Sequence, residues 1–192
     1  VTRLWWVRHG PTHEKSFVGW RDVPADLSDH ALINRVADHL PKSALVISSD
    51  LIRASTTADA IARDRTRLPD HRDLREFDFG EWDGLHFTQV AKRDPDLSRR
   101  FWEEPGDLKA PGGESWNMVA ARVNAVIDDL CARHQDHDII LTAHMGVIMT
   151  QIQRASGSTA YQAMGHHIEN LSITQMTHSQ TGWTLGSVNH LP

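Results

Sequence analysis

Apolar positions along the chain alternate between short continuous runs and longer stretches at helical spacing. Thr2 to Val7 is a β-prone run that ends at the turn signal Arg8-His9-Gly10-Pro11. From Ser28 to Leu40, the residues Leu32, Ile33, Val36, Ala37 and Leu40 recur on one face, and Pro41 stops the predicted helix. Ala44 to Ile47 is uninterrupted and apolar, as a strand buried on both sides requires. Ser48-Ser49-Asp50 then reads as an N-cap cluster for a helix over Leu51 to Arg63, where Ala54, Ala58 and Ala62 suit close packing.

The middle of the chain is less regular. Leu74 to Gly84 is acidic, aromatic and glycine-containing, and reads as a strand end followed by a loop. His86 to Phe101 is helical but interrupted near Pro95. After the Pro111-Gly112-Gly113 loop, Glu114 and Ser115 open a long helix to about His134. Met118, Ala121, Val123, Val126, Ile127 and Leu130 are expected on its inner face. Asp138 to Thr142 is a second buried strand, and Gly146 starts a helix to about Ala155. Asn170 to Met176 and Trp183 to Val188 read as a closing pair of strands. Strands alternating with helices predict an α/β fold, a three-layer αβα sandwich with a mostly parallel central sheet and helices on both faces.

Composition narrows the function classes. A chain of 192 residues without repeats or Gly/Ser-rich linkers is expected to form a single domain over 1–192. Its 20 basic and 25 acidic residues leave a formal charge of −5, which argues against nucleic acid and membrane surfaces as partners. Any anion must be held in a local positive pocket. Cys131 is the single cysteine, so no internal disulfide can form, and a reducing, cytoplasmic setting is expected. The apolar run Leu4-Trp5-Trp6-Val7 is far too short for a signal or membrane segment.

Chemistry-bearing residues fall where buried strands end. Arg8-His9-Gly10, Ser48-Ser49-Asp50 leading into Arg53, and Ala143-His144-Met145-Gly146 each follow such a strand. Open α/β sheets bind ligands beyond the carboxyl ends of their strands, so Arg8, His9, Arg53 and His144 can converge there. Arginine presents a planar fork that matches phosphate oxygens, and the helix after His144 would add backbone N–H groups for an anion. Taken singly, each residue has a plain structural explanation. The joint pattern, with an acidic loop between, is what points to a phosphate site. The pairs His134/His137 and His166/His167 read as polar loop residues, and no metal-binding motif is found.

The order of these motifs resembles the histidine phosphatase superfamily, the fold of cofactor-dependent phosphoglycerate mutases and many small phosphatases. Val7-Arg8-His9-Gly10-Pro11-Thr12 is similar to its signature strand and loop, and Gly19-Trp20-Arg21-Asp22-Val23-Pro24 to the loop that follows. Ser48 to Ala54 with Thr57-Ala58 is similar to its second-arginine helix, and Leu74 to Gly84 to its general-acid loop. Pro111 to Ser115 and Ala143-His144 complete the series. The resemblance implies a metal-independent phosphomonoesterase with no cofactor. His9 would be the nucleophile that becomes phosphohistidine, and Glu76 the general acid, ahead of Asp78, Glu81 and Asp83. Glu76 would need a raised pKa for that role. Arg8, Arg53 and His144 would hold the phosphate oxygens, and Thr12 would bind the phosphate or fix its loop. Neutral His9 is required for attack, while Arg8, Arg53 and the phosphate bear on its proton with opposing signs.

The implied partner is a small-molecule phosphate ester, sugar- or nucleotide-like, with the α-ribazole phosphate type among the short forms. Mutase-type transfer is the alternative, and Arg99-Arg100 would then bind a substrate carboxylate; a solvated helix face is the simpler reading of that pair. A non-catalytic phospho-ligand or protein binder is the second alternative. Met145 replaces the family's usual glycine after the second histidine, and would crowd or line the pocket rim. Trp82, Trp102 and Trp116 are read as core filler or as the lining of a substrate mouth.

Overall fold

In the computed structural model, which describes residues 1–192, six strands form one sheet in the order β3-β2-β4-β1-β5-β6. The strands are β1 (Thr2–Arg8), β2 (Leu45–Ser48), β3 (Thr66–Arg67), β4 (Asp138–Ala143), β5 (Ile173–Ser179) and β6 (Gly182–Leu185). β1 pairs parallel with β4, β4 with β2 and β2 with β3; β5 joins β1 antiparallel, and β6 joins β5 antiparallel. The sheet is therefore mostly parallel, with an antiparallel edge. The helices are α1 (His30–His39), α2 (Ile52–Ala62), α3 (Phe87–Arg93), α4 (Pro95–Glu103), α5 (Trp116–Arg133), α6 (Met145–Ser156) and α7 (Ala160–Met164).

Side-chain alternation along the central strands builds two cores. Leu4, Trp6, Ile139, Leu141 and Ile47 face a large core shared with α5 and α6. Val7, Val46 and Ile140 face a smaller one shared with α1 and α2. The central strands are buried on both faces, which explains their unbroken apolar character. No helix is long and apolar enough to cross a membrane.

Several local expectations are corrected. Leu74 to Gly84 contains no strand; it forms two 3-10 turns, Arg72–Leu74 and Gly80–Trp82. Gly80 there has φ +52°, a conformation that favours glycine, and its backbone N–H donates to Asp78. The inner face of α5 is Trp116, Val119, Val123, Val126, Ile127 and Leu130, whereas Met118 and Ala121 are exposed. Met118 precedes the buried Val119 by one position, and one step turns a helical side chain by about 100°. The Ser48-Ser49-Asp50 cluster does not cap α2 from its own strand: Leu51 is the N-cap residue and makes no side-chain cap bond. The Asp22 carboxylate, from a distant loop, instead accepts the Ile52 N–H at 2.7 Å. The closing strands begin at Ile173 and end at Leu185. Trp82 is fully buried, with its indole N–H on Asp94, so it belongs to the core rather than to a mouth.

Candidate active site

Three adjacent parallel strands end in register, and that alignment builds the site. Arg8 of β1 lies opposite Ala143 of β4, and the His9 N–H continues the ladder to the Ala143 carbonyl at 3.1 Å. Ser48 of β2 lies opposite Thr142, and the Ser49 N–H reaches the Thr142 carbonyl at 3.1 Å. The next residues out, His9 and His144, therefore stand side by side, with ring centroids 5.2 Å apart. Ser49 stands on the far side of His144, its hydroxyl 2.9 Å from His144 Nε2.

The hydrogen bonds of His9 determine its tautomer. Its Nδ1 lies 2.7 Å from the Gly10 carbonyl, which can only accept. Nδ1 therefore carries the proton, and Nε2 keeps its lone pair. Burial pushes the His9 pKa down to about 3, and the Arg53 and Arg8 charges add to that push. Burial likewise holds His144 well below the usual imidazole range, with Arg53 and His9 contributing. Both rings are neutral at physiological pH. In the free protein, burial and the two arginines outweigh the Gly10 bond and keep His9 unprotonated.

Arg53 is buried and Arg8 half-buried, and both are incompletely satisfied. Arg53 donates to the Arg21 and Gly19 carbonyls at 2.9 and 2.6 Å, and its Nε has no partner. Arg8 donates to the Ile168 carbonyl at 2.6 Å, and its Nε is also unpartnered, as is His144 Nδ1. Three buried nitrogens without partners in one neighbourhood are costly unless a ligand takes them up. Burial lowers both guanidinium pKa values and Glu76 acts in the opposite sense; guanidinium stays charged at any ordinary pH.

Glu76 is buried, and a hydrogen bond holds each of its carboxyl oxygens. Oε1 accepts the Phe77 N–H at 2.9 Å, and Oε2 accepts the Gly146 N–H at 3.1 Å. The first turn of α6 thus binds an internal carboxylate, which modifies the expectation that its N–H groups are free for an external anion. Asp78, Glu81 and Asp83 are engaged elsewhere. Asp78 accepts the Gly80 N–H, Glu81 pairs with Arg93, and Asp83 with Arg21. Thr12 lies in the loop after β1, where its hydroxyl accepts the Glu14 N–H at 3.4 Å.

Supporting residues escape sequence reasoning because their partners are remote. Thr57 accepts the Gly10 N–H at 3.0 Å, and Asn170 donates to the His9 carbonyl at 2.9 Å. Arg122 donates to the carbonyls of Asp73, Arg75 and Glu76 and pairs with Glu114, tying the Glu76 segment to α5. Arg99 and Arg100 are exposed or nearly so and pair with Asp96, Glu103 and Glu104, as a solvated helix face does. Nowhere do three His, Cys, Asp or Glu side chains cluster as they would around a metal ion.

Beside Glu76 opens an apolar cavity of about 50 Å³. Trp102, Trp116 and Met145 line it; Trp102 and Met145 are partly exposed, whereas Trp116 is buried in the core with its indole N–H on Gln153.

The family model described as histidine phosphatase superfamily (branch 1) matches residues 4–191. The chain is 32% identical over 190 residues to a bifunctional protein of Mycobacterium tuberculosis, covering 91% of this chain and 50% of that one. It thus spans about half the length of that curated relative. A metal-independent phosphoserine phosphatase of Arabidopsis thaliana is 31% identical over 160 residues, 77% of this chain and 66% of the relative. A mycobacterial glucosyl-3-phosphoglycerate phosphatase solved with inorganic phosphate superposes with a TM-score of 0.85 at 27% identity, covering 98% of this chain and 97% of that one.

Proposed function

The chain belongs to branch 1 of the histidine phosphatase superfamily, and from that premise we propose that it hydrolyses small-molecule phosphate monoesters through a phosphohistidine. One observation carries the reading most: the bond from His9 Nδ1–H to the Gly10 carbonyl, which leaves a neutral imidazole with its Nε2 lone pair available.

In the first step His9 Nε2 attacks phosphorus in line. The N–P bond forms as the ester P–O bond breaks, and the Glu76 proton passes to the leaving oxygen. Arg8, Arg53 and His144 donate to the equatorial oxygens and offset the charge that spreads over them. The orphaned nitrogens described above suit that task. Ser49 already accepts the Leu51 N–H and can give its own proton to His144 Nε2, which leaves Nδ1–H of His144 as the donor. In the second step Glu76 takes a proton from water, the hydroxide attacks phosphorus, and the N–P bond breaks to release phosphate. Thr12 binds the phosphate or fixes the loop after His9, where its hydroxyl accepts the Glu14 N–H.

Substrates are small phosphate esters, sugar- or nucleotide-like, with the α-ribazole phosphate type among them. Mutase-type transfer on a doubly anionic acid is the weaker reading, because Arg99 and Arg100 are engaged with carboxylates of their own helix and its end. The single cysteine, Cys131, is free and buried, which suits a cytoplasmic setting. The test is turnover of an aryl phosphate in the presence of chelator. Steady release of phosphate is expected; no release from a broad ester panel would favour a binding role instead.

A further inference from the structure

The cavity beside Glu76 does no work in the phosphate chemistry, yet its position gives it a task. Glu76 lies in its wall. It is also near enough to Arg8 and Arg53 to act on both charges. An ester oxygen that takes its proton from Glu76 must lie at this boundary, so the group attached to that oxygen extends into the cavity.

The walls state which group that can be. Glu76 is the sole charged residue among those lining the cavity, and no lysine, arginine or histidine lines it. Phe79, Trp102, Leu108, Met145, Met149 and Met164 are among its apolar walls. A carboxylate placed there would lose its hydration, find no cation and face Glu76. A polyhydroxylated group would leave hydroxyls unpaired. Aryl and alkyl groups incur no such cost, and the unbranched methionines can adapt to several shapes. Trp102 and Met145 are partly exposed, at 37% and 39%, so the cavity opens to solvent and is not sealed core. Its enclosed volume is small, about 50 Å³, and it continues into open solvent.

We propose that this cavity is the leaving-group subsite, and that it selects esters of uncharged apolar or aromatic alcohols over carboxylated ones such as phosphoglycerate or phosphoserine. The inference rests on the hydrolase reading above. Within the nucleotide- or sugar-like class, it favours members that carry an aromatic ring over bare sugars.

The test uses a series of n-alkyl monophosphates from methyl to hexyl, whose leaving-group basicity hardly changes, with 3-phosphoglycerate and phosphoserine alongside. kcat/KM should rise roughly fourfold for each methylene buried until the cavity is filled. The carboxylated esters should fall about tenfold or more below the butyl ester. Trp102→Ala should lower the hexyl-to-methyl ratio. Brisk turnover with a flat series, or a preference for the carboxylated esters, would overturn the subsite while leaving the hydrolase intact. With aryl phosphate as the control, its turnover alongside inert alkyl esters would overturn the subsite alone, and turnover of neither would remove the hydrolase reading with it.

Discussion

The Gly146 backbone N–H and the Glu76 carboxylate meet at 3.1 Å, so the first turn of α6 orients the proposed acid. Glycine is required there by space. A Cβ on Gly146 would lie 2.5 Å from Glu76 Oε1 and 2.7 Å from the Phe77 ring. Gly146→Ala should therefore displace Glu76, although alanine is the better helix former by about 1 kcal/mol. Net destabilisation of about 1–3 kcal/mol is expected from the overpacking. Hydrolysis of alkyl esters should slow roughly 10- to 100-fold, and of nitrophenyl esters far less. Parallel kinetics on the two ester classes check this.

Glu76→Gln removes the transferable proton and keeps the shape. Alkyl esters need a proton on the departing oxygen and should slow by about 100-fold or more. A nitrophenyl ester leaves without help and should slow much less in the phosphorylation step. Equal slowing across both classes would count against an acid role.

Acidification should destabilise the protein before its carboxylates titrate. The pKa of His9 is near 3 in the folded state, against about 6.5 unfolded. Between those values the unfolded chain binds the proton and the folded one does not. The stability from neutral His9 is thus present above pH 6.5 and is lost as pH falls toward 3. From pH 7 to 5 the loss is about 2 kcal/mol for His9, and His144 adds to it with the same sign. Urea unfolding at the two pH values measures it, and His9→Asn should reduce the slope. Stability independent of pH over this window would show that these rings are not held neutral.

Arg122 is the tie between the acid segment and α5. Its guanidinium donates to three carbonyls of the segment and to Glu114, and both members of the ion pair are largely shielded from water. Arg122→Met should cost roughly 3 kcal/mol, because Glu114 is left without its partner. It should also slow alkyl esters more than nitrophenyl esters, since it loosens Glu76 and leaves His9 in place. A loss of stability with uniform slowing would assign Arg122 a purely structural part.

Much of this architecture was legible before any coordinates. The runs Leu4–Val7, Ala44–Ile47 and Ile139–Leu141 read as buried strands because burial on both faces leaves no polar alternation. His9 and His144, the two imidazoles of the site, follow two of those runs at a distance of two and three positions. What stayed hidden depends on distance or brevity. β3 and α7 are too short to show a period. Asp22 capping α2, Thr57 holding the Gly10 N–H and Asn170 holding the His9 carbonyl are contacts across 30, 47 and 161 positions, and no local pattern announces them. The apolar cavity was equally hidden, since its walls come from four helices and two loops.

The central claim is that His9 Nε2 becomes phosphorylated. Mixing enzyme with labelled aryl phosphate, quenching in alkali within milliseconds and mapping the label by mass spectrometry tests it most directly. An alkali-stable, acid-labile phosphoryl group on His9, formed and lost at rates that account for turnover and absent from His9→Asn, is the predicted result. Full turnover in His9→Asn, or label on another residue at competent rates, would contradict the account.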